Sequence, residues 1–310
     1  MRRVPCTLAL LLAASTLHAS ALRAQANVPQ FRGDFGLNAG TQAPPGEYAG
    51  VLYNYYNPDE IVNANGTAFH GVTINQSTIA ILLQYVSPNI TLFGAHYGAA
   101  VAIPWANVAI ATPKLSNETK WGFSDMFVEP LNLGWHFPRV DALGTVAVYV
   151  PTGRFTAYAP NNTGLGMWAV ELGSGATVYP DAAKQFNVSA YATFDMPASY
   201  VRETTMRAGD LFTLEGGVGH TLIKGFGAIG VDYYAQWKVT ADHNYNLPPT
   251  FDSKDFYFGI GPEVTVPIPV VKTMPFILTF RYFFEAANRV ATQGNSLYVI
   301  FTVAKPFLGH

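Results

Sequence analysis

Hydrolytic chemistry needs a base held by an acid, and metal chemistry needs ligands at fixed spacing. His70, His96, His136, His220, His243 and His310 are scattered along the chain with no H-E-x-x-H run. Asp242-His243 sets an acid beside a base, but neighbours on an extended chain point opposite ways, so the pair is no dyad by itself. The glycines of Gly216-Gly217-Val218-Gly219 lie inside an alternating stretch, where they serve curvature rather than phosphate binding. Asp59-Glu60, Asp252 and Asp255 read as loop or rim carboxylates, solvated or bridged by a hard divalent cation. The single cysteine, Cys6, precedes an apolar run near the start. The expectation is no catalytic residue, no metal site and no cofactor.

A second set of ionisable residues recurs with period two. Glu171, Asp195, Glu215, Asp232, Asp255, Glu263 and Glu285 stand against Lys238 and Arg281, interleaved with Tyr191, Tyr234 and Tyr257. Each sits on the polar face of a stretch whose other face is apolar. From Phe226 to Thr240, Ile229, Val231, Tyr233 and Trp237 alternate with Asp232, Tyr234, Gln236 and Lys238. Such alternation belongs to strands with one apolar and one polar environment. Ionisable groups at membrane depth must face water or one another, so these twelve are candidates to line a lumen. Arg281 is expected to pair with an acid such as Glu263.

The elements that would carry them follow from the ends and the composition. Arg2 and Arg3, the run Leu8–Ala14 and Ala24-Gln25-Ala26 read as a signal peptide over 1–26, with Ala19-Ser20-Ala21 as a second cleavage site. Its loss removes three arginines, so the remainder is more acidic than the −2 of the whole chain, and nucleic acid is not an expected partner. Charged residues are only 12% and aromatics 14%, and mean hydropathy is +0.15. No later stretch is long and apolar enough for a transmembrane helix. An exported, apolar chain without helical spans satisfies its backbone in lipid by closing into a barrel. The expectation is an all-β, transmembrane, antiparallel up-and-down β-barrel over 27–310, with about twelve strands and with 27–46 as a periplasmic or plug segment.

Short connections, as at Ser87-Pro88-Asn89, Pro138–Asp141, Pro180–Gln185, Leu222–Gly225 and Pro267–Pro275, alternate with longer polar ones. Short periplasmic turns and long outer loops are how bacterial outer-membrane barrels are built. Pro130 falls within a strand pattern and marks a bulge. Trp105, Trp121, Trp168 and Trp237 fall at outer strand ends and Trp135 at an inner one, as interface aromatics would. Alternating Leu297, Val299, Phe301 and Val303, followed by Phe307, suggest a closing C-terminal strand.

Gly122-Phe123-Ser124-Asp125-Met126, then Pro130-Leu131-Asn132-Leu133-Gly134-Trp135 and Pro151-Thr152-Gly153-Arg154-Phe155, together with Pro45-Gly46-Glu47-Tyr48, resemble the outer-membrane proteins grouped as involved in the meta-pathway of phenol degradation. The resemblance covers nearly all of the chain beyond the signal, with Ser124 standing where that family usually has glycine. It implies a passive outer-membrane channel or transporter for small solutes, aromatic or hydrophobic ones among them. The expected partners are outer-membrane lipid and lipopolysaccharide, a small-molecule solute and the barrel-assembly machinery. Two alternatives stand beside it: a structural or surface-binding barrel acting through its outer loops, and an outer-membrane hydrolase.

Overall fold

The computed structural model describes residues 31–71, 73–112, 115–118, 121–157, 159, 162–223, 227–244, 254–271 and 274–306. The signal peptide, Asp252, Phe307 and His310 lie outside the described residues.

Twelve antiparallel strands form a closed barrel. They are β1 (Gly46–Val62), β2 (Thr73–Leu92), β3 (Ala95–Thr112), β4 (Met126–His136), β5 (Val140–Val150), β6 (Ala169–Val178), β7 (Phe186–Pro197), β8 (Leu211–Ile223), β9 (Gly227–Lys238), β10 (Phe256–Val271), β11 (Met274–Glu285) and β12 (Ala291–Pro306). Each pairs with its sequence neighbours, and β1 pairs with β12 from Gly46↔Pro306 to Val62↔Ala291, so no edge is left to bond lipid or another chain. Three short strands, Ala68–His70, Leu115–Glu118 and Gly122–Phe123, add to the long-loop end of β1 and β3.

Alternation fixes which side chains face in. In β5 every second residue is buried, and in β9 Ile229 and Val231 are exposed while Asp232, Tyr234, Gln236 and Lys238 are buried. The exposed residues form an apolar exterior of Val51, Ile81, Leu83, Val188, Val231 and Ile260, among others. So large an exposed apolar surface calls for a non-aqueous surrounding. Strands β1, β2 and β3 have 17, 20 and 18 residues, well above the roughly ten that cross a bilayer. β3 runs on past Ala102, its last residue paired with β4, to Thr112, so this side of the barrel reaches further at the long-loop end.

Two expected connections are corrected. Ser87-Pro88-Asn89 is not a turn: β2 runs through it to Leu92, and the reversal falls at Phe93-Gly94, both at positive φ (52° and 79°). That conformation suits a two-residue hairpin, but phenylalanine there hides the signal that Asn-Gly would give. Ser87 Oγ instead accepts from the N–H groups of Asn89 and Ile90, within a shift of register between Val86 and Thr91. The Pro267–Pro275 run is likewise mostly strand, since β10 and β11 stay paired out to Val271↔Met274. Around Pro130 the ladders to both neighbours slip, between Gly98 and Ala100 on one side and Val128 and Leu131 on the other. This is the expected bulge.

Candidate functional site

The interior is built around residues 31–43, which run inside the barrel before β1 begins. Arg32 stands 3.5 Å from Glu285 at the top of β11, and its guanidinium lies over the Tyr257 ring at 3.8 Å. Tyr298 donates to the Arg32 carbonyl at 2.6 Å. Lower down, Glu215 accepts from the N–H of Gly33 (2.7 Å) and Phe35 (3.4 Å), while Glu263 accepts from that of Leu37. Arg281 donates to the carbonyls of Gly33 and Asp34, and also meets Glu263 and, at 3.5 Å, Asp232. Asn187 donates to the Leu37 carbonyl, and Thr177 accepts from Gly40 N–H. Near the short-turn end, Gln42 donates to Asn132 at 2.8 Å.

These contacts state why the segment has its sequence. Gly36 has φ +68°, and a Cβ there would collide with Arg281 and Glu263. The backbone is therefore drawn against the charged pair, and its own N–H and C=O groups complete that pair's hydrogen bonds. A buried ion pair is tolerable only when its remaining lone pairs and protons are so satisfied.

All twelve residues expected on the inward faces are buried, but the fold separates them into three neighbourhoods. Glu215, Asp232, Tyr234, Tyr257, Glu263, Arg281 and Glu285 hold the inner segment or one another; Glu285 accepts from Tyr56 and Tyr234, each at 2.7 Å. Lys238 and Asp255 sit at the long-loop end, where Lys238 binds Asp242 at 2.9 Å. Asp242 also accepts from Gly209 N–H, and His243 pairs through its backbone with Arg207. Glu171, Tyr191 and Asp195 lie towards the opposite wall. Tyr191 bonds Thr145 at 2.5 Å and stacks on Phe35 at 4.1 Å, and Glu171 accepts from Tyr149 at 2.7 Å.

Because the inner segment is fastened mainly to β6–β12, it leaves space against β1–β4. A cavity of about 400 Å³ occupies this side. It extends from Thr41 and Gln42 at the short-turn end to Ser124 and Asp125 at the other. Its outer wall is small and apolar: Gly50, Leu52, Ala80, Leu82, Ala102 and Pro104. Phe31, Asp34 and Phe35 of the inner segment face them, and Gln84, Glu129, Glu171 and Thr302 are among the polar residues of the lining. Of the twelve residues singled out by alternation, only Glu171 lines this cavity. The wall escaped notice because both faces of β1–β3 are apolar, as in Ala80-Ile81-Leu82-Leu83, so polarity gives no period. The run of small residues Gly98-Ala99-Ala100-Val101-Ala102 is the signal that marks it.

At the cavity's long-loop end the order of the motifs gains a physical meaning. Asp125 accepts from the N–H groups of Gly153 (2.9 Å) and Leu165 (2.6 Å). Ser124 donates to the Thr163 carbonyl and Thr163 to that of Phe123, both at 2.6 Å. Loop 151–168 is thereby tied across the start of β4. Burial pushes the Asp125 carboxyl above its ordinary range, against the pull of the two N–H donors.

The tryptophans are distributed more widely than strand ends. Trp121, Trp168 and Trp237 are exposed, Trp168 lying just before β6 and Trp237 near the end of β9. Trp135 donates to the Phe93 carbonyl at the short-turn end. Trp105 falls inside β3, because that strand continues to Thr112. Among the described residues, no group of three or more His, Cys, Asp or Glu is arranged to hold a metal ion.

A family model described as "Putative MetA-pathway of phenol degradation" matches residues 58–301. No curated protein matches the chain. Among solved structures, an outer membrane channel from Pseudomonas putida F1 is similar with a TM-score of 0.70 at 13% identity, covering 89% of this chain and 99% of that one. The NanC porin aligns with a TM-score of 0.43 at 9% identity, over 84% of this chain and 100% of that one. The first of these likenesses is one of fold.

Proposed function

The chain belongs to the family described by the MetA-pathway of phenol degradation, and we propose that it is a passive outer-membrane channel for small solutes, apolar and aromatic ones among them. The observation that carries this reading is the eccentric cavity between the inner segment and β1–β4. The inner segment acts as a plug pinned to one wall, and solute passes along the other. An apolar wall of Leu52, Ala80, Leu82 and Pro104 offers no hydrogen bond that a hydrated solute could use in exchange for water, whereas it accepts a hydrocarbon or ring at no such cost. Phe31 and Phe35 give stacking faces on the other side. The apolar exterior and the alternation of short turns with long loops support a barrel set in the outer membrane, with lipid and lipopolysaccharide around it. The solute class rests on the cavity's lining, since the family's description names a pathway and not a cargo.

The test is ion conductance through the protein in planar lipid bilayers, with a neutral aromatic probe added. Discrete conductance steps that benzyl alcohol interrupts are the expected result. A silent bilayer, or steps that benzyl alcohol leaves untouched while small sugars interrupt them, contradicts the reading.

A further inference from the structure

Glu171 and Asp195 stand directly opposite each other in the β6–β7 ladder, and both side chains are buried. Like charges so placed destabilise a sheet. Asp34 of the plug and Glu129 of β4 line the same cavity as Glu171, and the Asp34 and Glu171 charges act on each other. Four carboxylate oxygens here, Glu171 Oε1, Asp34 Oδ1 and both of Asp195, are shielded from solvent with no N–H or hydroxyl donor to them, and Glu171 and Asp195 lean on one another instead. An unpartnered acceptor in such a setting is costly, and more so when charged. No Lys or Arg belongs to the cavity lining among the described residues. Arg281 is already occupied by Glu263, Asp232 and the carbonyls of Gly33 and Asp34.

The arrangement differs from a metal site. Its carboxylates do not converge on one point, and the surface facing them is Leu52, Leu82, Ala102 and Ile300. With no three acidic groups gathered at one point among the described residues, a bare inorganic cation finds no shell of carboxylate oxygens to replace its water. A solute with a positively charged, hydrogen-bond-donating head and an apolar body matches both halves at once. Resting on the channel reading above, we infer that the cavity selects amphiphilic organic cations, such as protonated aryl-alkyl amines. The ammonium bonds Glu171 and Asp34, with Glu129 adding to the negative field, and the apolar body lies along the β1–β3 wall. Charge-assisted hydrogen bonds are shorter and stronger than neutral ones, which gives the cation its advantage over an isosteric alcohol.

Three probes of nearly equal size separate the possibilities in planar-bilayer recordings: 2-phenylethylammonium, 2-phenylethanol and phenylacetate. The ammonium is expected to interrupt the current at about tenfold lower concentration than the alcohol, with phenylacetate the weakest. Glu171→Gln, which still offers an acceptor to Tyr149, and Asp34→Asn are each expected to shrink that gap. A heat-dependent mobility shift on electrophoresis verifies that both variants are folded barrels. Equal interruption by ammonium and alcohol overturns the inference and leaves the channel intact, as does cation-selective conductance that the ammonium never interrupts. A preference that survives both substitutions also overturns it. Absence of any conductance instead removes the channel reading and this inference with it.

Discussion

Arg281 shows how one inward residue takes several roles at once. Its guanidinium neutralises Glu263 and Asp232 and donates to two carbonyls of the inner segment, so wall charge and plug position are a single network. From the alternation alone, Arg281 reads as a charge on a wet wall, and Glu263 is recognisable as its partner. Its contacts with Gly33 and Asp34 are hidden, because nothing local in residues 31–43 points 248 positions along the chain. Removing the side chain leaves two buried carboxylates uncompensated, a change that costs about 3–5 kcal/mol where a buried pair is broken. Arg281→Ala is therefore expected to lower the thermal unfolding midpoint and to make the conductance noisy as the plug loosens. An unchanged midpoint with only a shift in ion selectivity would show that the pair bears no structural load.

Among elements, the barrel strands from β5 to β12 were the most legible, since each has an apolar face towards lipid and a polar face towards the interior. Strands β1–β3 were less so. Their two faces are both apolar, and the Phe93-Gly94 reversal carries no Asn or Asp to announce it. Loop 151–168 is the element whose order depends most on one side chain. Asp125→Ala withdraws the acceptor from Gly153 and Leu165 N–H groups, at about 1–3 kcal/mol for each donor left buried and unpaired. Proteolysis within 151–168 should become faster while the heat-dependent mobility shift of the barrel persists. Protection equal to that of the wild type would mean that the Ser124 and Thr163 bonds hold the loop unaided.

At the scale of the whole molecule, closure and filling are distinct problems. Closure is written in the strand pattern and the even strand count, and the sequence suffices to read it. Filling depends on a segment outside the pattern: acids expected to line open water instead bind the backbone of residues 33–37. The proposed passage is thus displaced to the side where the β1–β3 wall is largely apolar. Its position is tested most directly by conductance in planar bilayers on two folded variants. One is Ala102→Trp, which fills the cavity; the other joins Asn38→Cys to Asn187→Cys with a short thiol-to-thiol reagent, fixing the plug where those side chains now meet. A passage beside a fixed plug requires the first to lose most of its conductance and the second to keep it. Conductance unchanged by Ala102→Trp but abolished by the cross-link would contradict that placement, and would mean that solute moves only when the plug leaves.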